Sequence, residues 1–573
     1  MRADGGVDDG SPLKTPCWAV RIRRQDGRIA GAGILLSPDR VLTCAHVVED
    51  RTASFTAEFV GAALGSTVPS VTAWVDGDAY VPNALDADGD PSGDVALLKL
   101  EPPRPAEETT LLHRLSAPNR TVQMYGFPYE HNGGIWFRAA VVGRCGRDGQ
   151  VQLVPETPGE LAAPGCSGSG VMDTQTGKVI GLVLSGMTDQ QGNLFSFMSP
   201  AETIVRHLPL VRRWTRGRTA VDDRLRSTSE DVAEALLDES FAQRLTDWFQ
   251  HDGQQVKISL VPAGDAVRAA TLRRAITLAD RELRTPASVD RTFLDPPGTV
   301  PSAGGHDLAV DAAGLTSVAI GERIAERMGL RQDPAGSMAE RIGATDATLT
   351  LVVVGVDEAA DPPALLDLLK TLRAKGNRLL LIFRAVDATY RRALYELVVE
   401  PERARRARLV ERLEKITGPL AQALHARMTA VRAEGVRPLD ADLVRAHAAL
   451  AAFRPRQGAH GGGGGPHPDL ARYEWFAERL AARMTETIHT LDTLRDRRDE
   501  LDGRLRGYHV MHLDAVRGEE EDLTLDALRL RAHELLRNRP CDVRAVEAAV
   551  EAYIHRVESR APRRQGRGGA CAS

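Results

Sequence analysis

Three short segments carry a histidine, an aspartate and a serine in an order that could support acyl transfer. His46 lies in the sequence LTCAHVV, Asp94 in GDVALLKL and Ser167 in PGCSGSGV. A serine hydroxyl is a weak nucleophile, so it needs an imidazole to accept its proton and a carboxylate to orient that imidazole. The small residues around Ser167 would let the N–H groups of Gly165 and Ser167 turn toward a developing oxyanion. The three segments therefore predict nucleophilic serine chemistry.

Over about residues 15–215 these motifs resemble those of the trypsin-like serine peptidases, which have the chymotrypsin fold. The resemblance implies an endopeptidase acting on protein substrates, with His46 as general base and then acid, Asp94 as the orienting carboxylate and Ser167 as nucleophile. Gly165 and Ser167 would form the oxyanion hole. We expect no cofactor and no metal ion.

A neighbouring residue, Cys166, could be considered as the nucleophile instead. The motif needs a glycine two residues before the nucleophile, and Cys166 has Pro164 there, whereas Ser167 has Gly165. The spacing therefore favours Ser167. Because a free cysteine is more often a small buried hydrophobe than a redox sensor, we expect a buried thiol at Cys166.

Three other aspartates lie close to the predicted catalytic acid. Asp86, Asp88 and Asp90 belong to the turn-like sequence ALDADGDPSG, whereas only Asp94 opens an apolar, strand-like run. The pattern favours Asp94 and predicts loop carboxylates for the other three.

The resemblance also implies a specificity pocket with Leu161 at its floor and walls from Leu184, Ser185 and Gly186. None of these residues carries a charge. An apolar floor would leave a substrate arginine or lysine unpaired, so we expect cleavage after an uncharged, apolar residue.

Two positions differ from the secreted relatives. Val47 stands where those enzymes place a disulfide cysteine, and Cys166 stands where their zymogens place an aspartate. The six cysteines form no CxxC pair, and the N-terminus lacks the apolar core of a secretory signal. We therefore expect a cytoplasmic enzyme that is not activated by N-terminal insertion.

Composition excludes several other classes of function. The net charge is -5, no basic stripe is interleaved with aromatic residues, and no apolar stretch reaches transmembrane length. We expect neither nucleic acid nor a membrane as a partner.

The elements that must position these side chains are short β-prone runs separated by Gly, Pro and Asp. This pattern predicts an all-β domain over residues 15–215, and the motifs select two six-stranded barrels with the triad between them. Residues 1–14 are predicted to be disordered. At 573 residues the chain has room for further domains, so we expect a multidomain protein.

Residues 216–395 contain a predicted helical adapter over 228–250 and then apolar strands alternating with helices, which indicates an α/β domain with a parallel sheet. The sequence LTLVVVGVDE, ending in Asp357 and Glu358, resembles the acidic strand of degenerate STAND-type NTPases found in bacterial conflict and signalling proteins. The phosphate loop of such NTPases is expected after the first strand, but residues 262–271 at that place lack its lysine. An unrelated α/β regulatory domain is the alternative.

The rest of the chain is predicted to be helical, with amphipathic faces that would pack as a bundle. We predict a helical region over 396–453, a glycine-rich linker over 454–469, a helical domain over 470–560 and a disordered tail over 561–573. These helices could also bind signalling or defence partner proteins.

The sequence as a whole predicts a serine endopeptidase that cleaves partner proteins and is regulated by its C-terminal module in bacterial defence or signalling. A protein of a different class is the alternative. In that case the trypsin-like fold would be a catalytically silent scaffold for protein–protein binding.

Overall fold

A computed structural model of the chain divides it into two compact units, Met1–Leu397 and Val398–Ser573. The residues that it describes are 14–63, 67–86, 89–115, 119–128, 131–145, 148–156, 163–184, 187–188, 194–227, 237–250, 253–284, 295–330, 337–433, 439–454, 469–515 and 522–560. Of the segments predicted to be disordered or linkers, residues 1–13, 455–468 and 561–573 lie outside the described residues.

A closed antiparallel barrel begins the first unit. Its strands are β1 (Ala19–Arg23), β2 (Ile29–Ser37), β3 (Arg40–Thr43), β4 (Phe55–Glu58), β5 (Ser70–Leu85) and β6 (Pro91–Glu101). They close in the order β1-β2-β3-β6-β5-β4. Burial alternates along β5, where Val71, Ala73 and Val75 face the core between more exposed neighbours, as a strand with one buried face requires.

A second barrel follows and confirms the predicted double-barrel fold. The further strands are β7 (Leu112–His113), β8 (Thr121–Gly126), β9 (Ile135–Arg144), β10 (Val151–Pro155), β11 (Gly170–Asp173), β12 (Val179–Val183), β13 (Met187–Thr188), β14 (Leu194–Pro200) and β15 (Thr215–Arg216). Six of them form the antiparallel ring β8-β9-β10-β14-β12-β11, closed by pairing of β11 with β8. Helix α1 (Ala201–His207) directly follows β14.

The predicted parallel sheet is also present in this unit. Strands β16 (Val256–Leu260), β17 (Leu308–Asp311), β18 (Thr350–Val354) and β19 (Arg378–Phe383) pair in the order β16-β19-β18-β17, all parallel. The accompanying helices are α2 (Glu239–Phe249), α3 (Ala266–Ala279), α4 (Ser317–Arg327), α5 (Met338–Gly343), α6 (Pro362–Ala374) and α7 (Ala388–Ala393). Apolar clusters cover both faces of the sheet, as parallel strands require.

Helix α2 lies in the described part of the predicted helical adapter, residues 237–250. Helix α2 begins at Glu239 because the Asp238 side chain accepts a hydrogen bond from the N–H of Phe241 and caps the helix. Residues 228–236 lie outside the described part of the chain.

Buried ion pairs connect the second barrel with the α/β layer. Glu202 of α1 lies 2.5 Å from Arg327 of α4, and their side chains are 3% and 4% exposed. Arg114, next to β7, donates two hydrogen bonds to Glu282, at 2.7 and 3.1 Å. Because a buried charge without its partner is costly, these pairs fix the two parts against each other.

The second unit is helical, as predicted. It contains α8 (Glu400–Lys415), α9 (Ala421–Ala430), α10 (Asp440–Phe453), α11 (Leu470–Ala515), α12 (Leu523–Arg537) and α13 (Val543–Arg560), with β20 (Val431–Arg432) paired in parallel with β21 (Cys541–Asp542). Met484, Val546 and Tyr553 are fully buried within its apolar core. No helix among the described residues combines the length and apolar character needed to span a bilayer.

Candidate active site

His46 lies on a 3₁₀ turn, Ala45–Val48, that directly follows β3 and Cys44. The neighbours Ala45 and Val47 are buried in the core of the first barrel, whereas the His46 side chain is 35% exposed. The turn is therefore anchored by apolar residues on both sides, and the imidazole reaches the surface between them.

Asp94 is buried and contacts His46 at three atom pairs. Its Oδ2 lies 2.8 Å and its Oδ1 3.0 Å from His46 Nδ1, and Oδ1 accepts the backbone N–H of His46 at 3.0 Å. The backbone of Asp94 has a φ of +63°, a left-handed conformation that few residues other than glycine adopt. The carboxylate holds both the ring and the turn that carries it.

The nearby aspartates have other roles where the structure describes them. The side chain of Asp86 accepts a hydrogen bond from the N–H of Asp90 at 2.9 Å, closing the turn after β5. Asp88 lies outside the described residues. The structure therefore brings Asp94 to the histidine, and it uses Asp86 as a turn carboxylate.

Ser167 lies on a turn before β11 and is docked onto β2 of the other barrel. Its carbonyl oxygen accepts the N–H of Ala32 at 2.8 Å. A Cβ placed on Gly31 would meet both Ser167 O, at 2.8 Å, and Val47 Cγ2, at 2.7 Å. Ser167 thus lies close to the residue that follows His46, and only a glycine at position 31 leaves room for this approach.

Two glycines shape the turn around Ser167. Gly165 has a φ of +97° and Gly168 a φ of +89°. A Cβ would lie 2.2 Å from Phe127 O at Gly165, and 2.0 Å from Ala32 O at Gly168. Both positions therefore require glycine for conformation and for space.

The turn around Ser167 carries backbone N–H groups and a hydroxyl whose hydrogen bonds bear on the predicted chemistry. Among the residues that the structure describes, no carbonyl accepts the N–H of Gly165 or of Ser167, the two donors predicted for an oxyanion hole. Within the same residues, no hydrogen bond joins Ser167 Oγ to the His46 ring. Contacts of this kind often tighten only when substrate binds.

Only one residue of the predicted specificity pocket is described. Leu184 is 1% exposed, packs in the first barrel's apolar cluster and donates its N–H to Phe197 O at 2.9 Å. Leu161, Ser185 and Gly186 lie outside the described residues. The composition of the pocket stays a prediction.

Cys44 lies beside the triad residues, although the sequence motifs do not single it out as a site residue. Its thiol is fully buried and donates a hydrogen bond to Val183 O at 3.2 Å. Burial, together with the charge of Asp94, raises the pKa of Cys44 well above its ordinary value. The sequence signal that could have identified Cys44 is its position two residues before His46.

Cys44, His46 and Asp94 place three potential metal ligands within 4.8 Å of one another. A cysteine binds metals as the thiolate, and burial keeps this one protonated. The other two potential ligands, the His46 ring nitrogen and the Asp94 carboxylate, are already hydrogen-bonded to each other. The donor set therefore favours a hydrogen-bonded histidine–carboxylate pair over a metal centre.

In the α/β layer, Asp357 and Glu358 follow β18 as predicted, but both oxygens of the Asp357 carboxylate already accept backbone hydrogen bonds. Its two carboxylate oxygens accept the N–H groups of Arg384 and Ala385 at 2.8 to 3.0 Å. Arg384 also donates to Val261 O at the end of β16 and lies 3.6 Å from Glu358. These contacts favour a structural carboxylate that ties strand ends together over a magnesium ligand.

The segment that contains His46, Asp94 and Ser167 matches a known family. Residues 31–182 match the family model described as "Trypsin-like peptidase domain". The chain carries a trypsin-like peptidase domain. Its two barrels agree with this assignment.

Several solved protease structures are similar to the peptidase domain. The MamO protease domain from Magnetospirillum magneticum is 16% identical over 34% of this chain and 97% of its own, with a TM-score of 0.26. The Rv3671c protease in its inactive form is 21% identical over 34% and 90%, with a TM-score of 0.25. Neuropsin, a serine protease of mouse brain, is 15% identical over 35% and 95%, with a TM-score of 0.28. No curated protein matches the chain.

Proposed function

We propose that the peptidase domain is a serine endopeptidase whose triad is His46, Asp94 and Ser167. The observation that carries this proposal is the contact of the buried Asp94 carboxylate with His46 Nδ1, on a turn that lies against the Ser167 segment. A carboxylate at Nδ1 selects the tautomer in which Nε2 is free to accept a proton.

In the proposed mechanism Ser167 Oγ attacks the carbonyl carbon of the peptide bond while His46 Nε2 accepts the hydroxyl proton. The Gly165 and Ser167 N–H groups stabilise the oxyanion, and Asp94 stabilises the imidazolium. Collapse of the tetrahedral intermediate breaks the C–N bond, and His46 donates its proton to the leaving amine. Water, deprotonated by His46, then hydrolyses the acyl-enzyme and restores the Ser167 hydroxyl.

The substrates in this proposal are proteins cleaved after an uncharged, apolar residue. Support comes from Leu161, Leu184, Ser185 and Gly186, which the resemblance assigns to the pocket and none of which is charged. Profiling with a peptide library tests the assignment. A strong preference for arginine or lysine before the scissile bond would contradict it.

An activity-based fluorophosphonate probe tests the mechanism. We expect labelling of the wild type and none of Ser167→Ala or His46→Ala, with a loss of turnover on the order of 10⁶ for either variant. Ser70→Ala, which changes an exposed serine on β5, is the matched control and should label normally. Residual turnover near wild type in Ser167→Ala would refute the mechanism. No labelling under any condition would support the scaffold alternative.

We further propose that the regions after the peptidase domain regulate it, in the cytoplasm and in a defence or signalling pathway with partner proteins. The support is Cys166, a 1% exposed residue at the position of the zymogen aspartate, so that activation by a new N-terminus has no buried carboxylate to receive it. Labelling of the purified full chain with and without bacterial cell extract tests regulation. Equal labelling in both would contradict it.

A further inference from the structure

A turn between β9 and β10 lies between the α/β layer and the strand that carries Asp94. The carbonyl of Gly149 in this turn accepts hydrogen bonds from Thr203 Oγ1 of α1, at 2.9 Å, and from Arg281 Nε, at 3.3 Å. Arg281 follows α3 and is packed beneath Gly304, where a Cβ would lie 2.7 Å from Nη2. The α/β layer therefore holds one side of the turn.

The other side of the turn holds β6. Asp148 Oδ2 accepts hydrogen bonds from Ser92 Oγ and from Arg206 Nη2, each at 2.7 Å. Burial raises the pKa of Asp148, but the charge of Arg206 and the Ser92 hydrogen bond, with His207 and Arg284 nearby, outweigh it and lower the pKa. Asp148 is therefore ionised, and its bond to Ser92 is charge-assisted.

Ser92 lies two residues before Asp94 in a segment with an unusual backbone. Gly93 has a φ of +81° and Asp94 a φ of +63°. A Cβ on Gly93 would lie 2.4 Å from Pro82 O on β5. Glycine adopts this conformation freely, but a left-handed aspartate such as Asp94 persists only where its surroundings fix it. On one side of the segment His46 binds the Asp94 carboxylate, and on the other Asp148 binds Ser92.

We propose that Ser92 and Asp148 are positioning residues for the Asp94 carboxylate, and that Arg281 of the α/β layer holds them in place through Gly149. This inference rests on the proposed serine peptidase function and names a physical route by which the α/β layer acts on the triad. A route of this kind requires that its members be energetically coupled.

The first test compares Ser92→Ala with the conservative variant Ser92→Thr, both in the full chain. We expect Ser92→Ala to lower kcat about tenfold with KM within about twofold, because a hydrogen bond to a charged group contributes roughly that factor and substrate does not contact Ser92. Ser92→Thr, which keeps the hydroxyl, should restore kcat. An unchanged kcat in Ser92→Ala, or no rescue by threonine, would overturn the proposal.

A double-mutant cycle tests the connection to the α/β layer. Arg281→Lys should lower kcat several-fold, and its effect should be much smaller in the Ser92→Ala background, since both changes break the same connection. Arg114→Lys is the matched control, because Arg114 binds Glu282 across the same interface and does not touch the turn. Additive effects of Ser92→Ala and Arg281→Lys would show that the α/β layer does not act through Ser92.

The outcome for this inference is separable from that for the peptidase function. Turnover retained in Ser167→Ala would refute the function, whereas a dead Ser167→Ala together with a normal Ser92→Ala would refute only the positioning role. A readout without substrate is the low-field proton resonance of the hydrogen bond between His46 Nδ1 and Asp94. It should broaden or shift in Ser92→Ala and keep its wild-type position in Ser92→Thr, and an unchanged resonance in Ser92→Ala would contradict the proposal.

Discussion

Replacing Arg327 by methionine should strongly destabilise the first unit, because it leaves the Glu202 carboxylate buried without its partner. The two side chains are 4% and 3% exposed, and they lie 2.5 Å apart between α4 and α1. Burial lowers the pKa of Arg327, but the charges of Glu202, Asp307 and Asp280 outweigh it and raise the pKa, so the guanidinium stays charged. Breaking a buried pair of this kind costs about 3–5 kcal/mol.

The structure predicts an asymmetry between the two partners. Glu202→Gln should cost less, about 2 kcal/mol, because Arg327 keeps its hydrogen bond to Asp307 O, at 2.8 Å, and the nearby carboxylates. The double variant Glu202→Met and Arg327→Met should recover most of the loss, since apolar residues of similar volume replace a buried pair at little cost.

Urea denaturation of the full chain, followed by tryptophan fluorescence, measures these effects. The midpoint of the transition that reports on the first unit should fall by roughly 1 M in Arg327→Met, taking a slope of about 3–4 kcal/mol per M for a unit of this size. Arg224→Met is the matched control, because that guanidinium is 79% exposed and 3.6 Å from Asp311, and it should change stability by less than about 1 kcal/mol. A single variant no worse than this control, or a double variant as unstable as Arg327→Met, would refute the reasoning.

Three further predictions concern pH, backbone conformation and the acidic strand end. Burial, and then the charge of Arg206, lower the pKa of His207 to about 4, so the unfolded state binds more protons between about pH 6.5 and 4. The free energy of unfolding should therefore fall by roughly 3 kcal/mol as the pH is lowered through that window. Urea titrations at several pH values should show that His207→Gln removes this dependence. Gly168→Ala should lower the free energy of unfolding by more than about 2 kcal/mol and abolish probe labelling. Gly177→Ala is the control, because Gly177 also has a positive φ but has open space where its Cβ would lie. Thermal denaturation of this control should show a loss of about 1 kcal/mol, and it should label normally. Asp357→Ala should destabilise the α/β layer by about 1–3 kcal/mol through unsatisfied N–H groups, with or without ATP and Mg²⁺; a rise in Tm on adding ATP and Mg²⁺ that Asp357→Ala removes would show a metal-binding role instead.

Part of the fold was predictable because its signals are local. The alternation of β-prone runs with Gly, Pro and Asp turns predicts the barrels, and strands separated by helical stretches predict a parallel sheet. The start of α2 was less predictable, because the pattern over 228–250 does not mark Asp238 as the residue that caps the helix. Local periodicity predicts that a helix exists better than it predicts where the helix begins.

By itself, the sequence determined the types and order of the candidate catalytic groups, since His46, Asp94 and Ser167 each stand in a distinctive local motif. Only the tertiary structure decided what surrounds them. Three hydrogen bonds join residues that are far apart in the chain. Asp94 and His46 are 48 positions apart, Cys44 and Val183 are 139 apart, and Ser92 and Asp148 are 56 apart. Such pairings follow from how the two barrels close and pack on each other, and a pattern within one segment does not contain them.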